Sequence, residues 1–186
     1  FFYSLPQNGL RGLNVVENNS FEINYAVLGL AQSPLPPGTY TAAAVLGLEG
    51  KLTLETCTDP CEFTFIIGGA FTTAPESEII YDGTNSPAVK FVVTGAITLG
   101  AKFTTPTTIK LTMESTAGAI IVGDEAIVNG DFAAAGAITV GAAAQTGSLA
   151  SGAALTVGAA AKIGGSLKAI GALTVGLGAC ATDGIV

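Results

Sequence analysis

Histidine is absent from the 186 residues, and with it the commonest general base and the commonest metal ligand. Tryptophan is absent too, methionine occurs once, and only seven residues are Lys or Arg. Those cations stand singly between Arg11 and Lys168. Without clustering they cannot displace counterions from a phosphate backbone, so nucleic-acid binding is excluded. No serine sits in a nucleophile-elbow context, Cys57 and Cys61 are close enough in sequence to pair, and calcium-loop spacing is missing. Asp124, Glu125 and Asp131 read as solvated corner residues. The expectation is a protein that is not an enzyme and needs no cofactor and no metal.

Charge is scarce at 11%, and thirty consecutive residues between Asp131 and Lys162 carry none. That run is long enough to cross a bilayer, yet Thr, Ser, Gln and Gly recur through it and neither an aromatic belt nor a basic flank borders it. It reads as a repeat, with no membrane span. Cys57 and Cys61 enclose a Thr-Asp-Pro turn, a candidate disulfide in an oxidising compartment, while Cys180 is left over. The first residue is Phe1, which fits a processed, secreted form. Asn18-Asn19-Ser20 is a glycosylation sequon, a weak signal alone.

What is abundant is Gly, at 25 residues, together with Ala and β-branched side chains. The string Gly-Ala-Ile-Thr-Val-Gly at 136–141 returns as Ala-Ala-Leu-Thr-Val-Gly at 153–158 and Gly-Ala-Leu-Thr-Val-Gly at 171–176. Divergent copies, Gly-Ala-Ile-Ile-Val-Gly at 118–123 and Gly-Ala-Ile-Thr-Leu-Gly at 95–100, precede them. The last four copies are 18, 17 and 18 residues apart. Inside each copy the alternation has period two, so Ile120, Ile138, Leu155 and Leu173 point inward with Val122, Val140, Val157 and Val175. Thr98, Ile121, Thr139, Thr156 and Thr174 then form an outward row, a candidate surface ladder. A second strand, whose inward row is Phe132, Leu149 and Leu167, follows the same interval. A third carries Ile127, Gln145, Lys162 and Cys180 outward. Three short strands per rung with Gly corners predict an all-β fold, a triangular β-helix (β-solenoid) of ~18-residue rungs; the Gly density makes a helix costly, by about 1 kcal/mol per Gly.

Several stretches, in order, resemble the microbial ice-binding-protein family. They are Leu35-Pro36-Pro37-Gly38-Thr39-Tyr40-Thr41, Gly50-Lys51-Leu52-Thr53-Leu54, residues 59–74, Val89–Ala101 and the rungs after Gly118. The resemblance runs from about Leu35 to the C-terminus. It implies a right-handed discontinuous solenoid, secretion to the cell surface or medium, and a flat Thr-bearing face for ice. That family usually carries early coils and a long helix, for which the first ~34 residues are too few. The expected division is therefore an extended segment over 1–34, docking on a neighbouring subunit, and a solenoid over 35–186.

Two functions follow as expectations. The first is an extracellular filament or matrix, a homopolymer built by end-to-end packing of solenoids and strand addition between copies. Its candidate inter-subunit contacts are Phe1, Phe2, Tyr3, Leu5, Leu13, Val15, Ile185 and Val186, apolar residues that would be an aggregation hazard if left exposed. The alternative is an ice-binding protein that uses the threonine row against ice or another ordered surface.

Overall fold

The computed structural model describes residues 13–17, 19–24, 26–29, 34–58 and 61–184. Among them there is no helix. The chain winds through three faces in a fixed order, one short strand per face and per turn. In one turn these strands are Gly130–Ala134, Ile138–Val140 and Gln145–Thr146, and Leu149–Ser151 then begins the next turn beside Gly130–Ala134.

The broad face is a nine-stranded sheet in the order Leu13–Glu17, Ser20–Ile23, Gly38–Ala42, Glu62–Ile67, Ala88–Val93, Lys110–Ser115, Gly130–Ala134, Leu149–Ser151, Leu167–Ala169. Every pair in it is parallel except the first, an antiparallel hairpin. The threonine face has eight strands, from Val27–Leu28 through Leu46–Leu48, Phe71–Thr73, Ile97–Leu99, Ile120–Val122, Ile138–Val140 and Leu155–Val157 to Leu173–Val175. A narrow face joins Lys51–Thr53 and Glu78–Ile80 to Gln145–Thr146, Lys162–Ile163 and Cys180–Ala181 through single bridges at Thr104 and Ile127. Parallel strands of one chain returning to the same sheets turn after turn make a β-solenoid, as the repeat predicts.

Burial follows the alternation. Ile120, Ile138 and Leu155 are fully inside, with Val122, Val140 and Val157 at 1% exposure or less. The expected row of Phe132, Leu149 and Leu167 is likewise buried. It prolongs a column of larger side chains. Phe21, Tyr40, Phe65 and Phe91 stack ring on ring along the axis, with centroids 4.8, 5.0 and 4.5 Å apart, and Phe71 meets Phe91 from the threonine face at 4.9 Å. Met113 then links Phe91 to Phe132 in strict register.

Rung length explains the change in side-chain size. From Leu46 through Phe71 and Ile97 to Ile120 the turns take 25, 26 and 23 residues. From Ile120 through Ile138 and Leu155 to Leu173 they take 18, 17 and 18. The ~18-residue rung thus belongs to the C-terminal turns, and the earlier ones are longer. A longer perimeter encloses a wider interior, which Phe71, Phe103 and the stacked rings fill; the later turns close on Ala126, Ala144 and Ala161.

The parallel ladders begin before Leu35. Ser20–Ile23 pairs with Gly38–Ala42 and Val27–Leu28 with Leu46–Leu48, while Phe21, Ile23 and Leu28 belong to the core. The segment expected to be extended over 1–34 therefore contributes strands to its own chain's solenoid where it is described. Of the candidate inter-subunit residues, Leu13 and Val15 lie in the hairpin strand, paired with Ile23 and Phe21. Phe1, Phe2, Tyr3, Leu5, Ile185 and Val186 lie outside the described residues.

Candidate functional site: the threonine face

From Ala96 onward each rung of the threonine face reads Ala-x-Thr-x-Gly, except that Ile121 takes the threonine position in one of them, and the outer and central positions face out. The central row stacks residue on residue: Thr72 beside Thr98, Thr98 beside Ile121, then Thr139, Thr156 and Thr174. All five residues of the expected ladder fall on this row without a register break. Val27 and Gly47 begin it at the other end.

Thr72 was not foreseen. It stands in Ala70-Phe71-Thr72-Thr73-Ala74, where no glycine follows the strand and the turn to the next copy is 26 residues, so the repeat search passes over it. The signal that does find it is the Phe71-Thr72-Thr73 alternation set against Ile97-Thr98-Leu99.

The strip is wider than its regular strands. Backbone ladder bonds continue one residue outward on each side. Ile120 N donates to Ala137 O at 2.9 Å, Ile138 N to Ala154 O at 3.0 Å and Leu155 N to Ala172 O at 2.8 Å. Across the strip, Gly141 N donates to Val122 O, Gly158 N to Val140 O and Gly176 N to Val157 O, each at 2.8 Å. An alanine column and a glycine column thereby flank the threonine row.

Glycine at most of the edge positions permits close approach between rungs, although Ala153 takes the place of Gly118 and Gly136 in one rung. A β-carbon on Gly118 would come within 2.5 Å of Ala96 N, and one on Gly158 within 2.6 Å of the Gly141 carbonyl carbon. The turns therefore pack closely at both corners of the face. Inside the corner, Ser115 Oγ and Ser151 Oγ donate to Gly95 O and Gly136 O and accept from Gly118 N and Ala153 N. Both buried serines are therefore satisfied, which holds the edge of the strip in place.

Charge separates this face from the others. From Ala70 to Gly176 the strip positions carry no acid and no base. The outward side of the broad face carries Lys90 and Glu114, an ion pair at 3.6 Å, with Asp131 and Lys168. On the narrow face Lys51 and Glu78 pair at 2.6 Å, and Lys162 and the exposed Cys180 continue its outward row. Ile121 is the one break in the threonine row, and it is 45% exposed.

The remaining expected site is covalent. Cys57 and Cys61 form a disulfide with Cα atoms 5.8 Å apart, tying the corner between the narrow and broad faces. Among the described residues no group of three or more Cys, Asp or Glu could hold a metal ion, and no helix is long and apolar enough to cross a membrane.

The described residues thus build a β-solenoid whose threonine-bearing strip is uncharged from Ala70 to Gly176. The Ice-binding-like family model matches residues 13–146, most of the chain, and the protein belongs to that family. It is a non-enzymatic family. Its match begins at Leu13, which places the early strands inside the family's fold, and ends at Thr146, so Thr156 and Thr174 extend the row beyond the matched segment. No curated protein and no solved structure matches the chain.

Proposed function

We propose that the protein binds ice through the threonine face and acts outside the cell, without catalysis. The observation that carries this reading is the in-register row Thr72, Thr98, Thr139, Thr156 and Thr174 on a strip free of charge. A parallel ladder sets successive rungs about 4.8 Å apart, so the row from Thr72 to Thr174 spans roughly 24 Å. Each threonine offers one hydroxyl to hydrogen-bond water and one methyl group that water must cage. Repeated in register along the sheet, they order a layer of water that growing ice can incorporate. A charged side chain would impose its own hydration shell on that layer, and none stands on the strip. Labelled protein should be taken up into ice growing slowly from a dilute solution, well above the level of an inert globular control. Exclusion from the ice to the level of the control would refute the reading.

A second reading is assembly between copies, and one observation favours it. Two corner positions carry exposed apolar side chains, Ile170 at 81% and Leu177 at 93%, where the preceding rung has Gly152 and Ala159. Large exposed apolar side chains suit burial against a second copy. Sedimentation at rising concentration should then reveal species larger than the monomer, and the double variant Ile170→Asp, Leu177→Asp should abolish them. A monomer at every concentration would remove this reading and leave ice binding untouched.

A further inference from the structure

We infer that Ile121 limits the strength of the threonine face by dividing its hydroxyl row into two blocks. The inference rests on the reading of that face as the ice-contacting surface. Ile121 is held between Thr98 and Thr139 in strict register, so it occupies a site where the neighbouring rungs place a hydroxyl. On one side remain Thr72 and Thr98, on the other Thr139, Thr156 and Thr174. Water bridging from rung to rung therefore has no partner across this position.

Its shape matters as well. The side chain is 45% exposed on the outward row, and it is one methyl group longer than the valine or threonine that would share its branched β-carbon. Isoleucine keeps the branched β-carbon that suits the strand, loses the hydroxyl and adds length. Nothing in the fold requires it there. The inward neighbours Ile120 and Val122 fill the core, and Ile121 has no part in it.

The row lengthens if the hydroxyl is restored. Ile121→Thr unites the two blocks, whereas Ile121→Val removes the extra methyl and supplies no hydroxyl. Thermal hysteresis measured at equal molar concentration should rise at least twofold for Ile121→Thr and by clearly less for Ile121→Val. The thermal melts of all three proteins should coincide, because the position is outside the core. Hysteresis in Ile121→Thr equal to or below that of the parent would overturn the inference while the ice-binding reading stands. If the parent and both variants all leave ice unshaped and show no hysteresis, the reading of the face fails, and the inference fails with it.

Discussion

At Ala143 and Ala160 the chain turns from the threonine face to the narrow face with φ of 55° and 57°. Glu76, Lys102 and Glu125 make the same turn in the earlier rungs at 58–60°. A left-handed conformation costs an L-residue roughly 1–2 kcal/mol, a cost that glycine escapes. Ala143→Gly and Ala160→Gly should therefore each raise stability by about 0.5–1 kcal/mol, after allowing for the greater freedom of glycine in the unfolded chain. Denaturant midpoints that fall in either variant would show that the corner is not strained. The opposite exchange is expected at Gly158, where a β-carbon meets the previous rung at 2.6 Å. Gly158→Ala should cost about 1–3 kcal/mol, the usual range for overpacking, in the same measurement. The glycines flanking each threonine are visible in the sequence as turn signals, and their second role, keeping adjacent rungs in contact, needs the structure. The alanine corners could not be read at all, because alanine gives no sign of a positive φ.

At the scale of strands, the C-terminal turns were legible because their period is nearly constant and their alternation unbroken. The inward rows predicted from Ile120 to Val157 are buried as expected, whereas Leu173 is half-buried and Val175 is 44% exposed in the last described rung. The N-terminal turns were less legible. Strands at Glu62–Ile67 and Ala88–Val93 overlap the stretches that carry the family resemblance, but the pairing of Ser20–Ile23 with Gly38–Ala42 has no periodic signal. The stacked column of Phe21, Tyr40, Phe65 and Phe91 was hidden for the same reason, since rungs of unequal length place its rings at unequal intervals. That column is the main filling of the wide turns. Phe65 is fully buried between two other rings, so Phe65→Ala should cost about 3–5 kcal/mol, a loss large enough to lower the melting temperature sharply. A change below 1 kcal/mol would mean that the wide turns are held by their edges rather than by their rings.

For the molecule as a whole, the solenoid narrows from its ring-filled turns to its alanine-filled ones while the threonine face continues in register through both. The inner volume changes, yet the outward row keeps one side chain per rung from Thr72 to Thr174. This is why the outward row, and not the rung length, is the feature that bears on function. The other two faces keep their charges, Lys90 with Glu114 on one and Lys51 with Glu78 on the other. A face-specific substitution therefore tests the central claim most directly. Thr156→Lys sets a charge in the middle of the uncharged strip, and Thr112→Lys sets the same charge on the broad face at an equally exposed strand position. Thermal hysteresis should fall at least fivefold in Thr156→Lys and stay within a factor of two of the parent in Thr112→Lys. Equal loss in both, or loss only in Thr112→Lys, would contradict the assignment of ice binding to the threonine face.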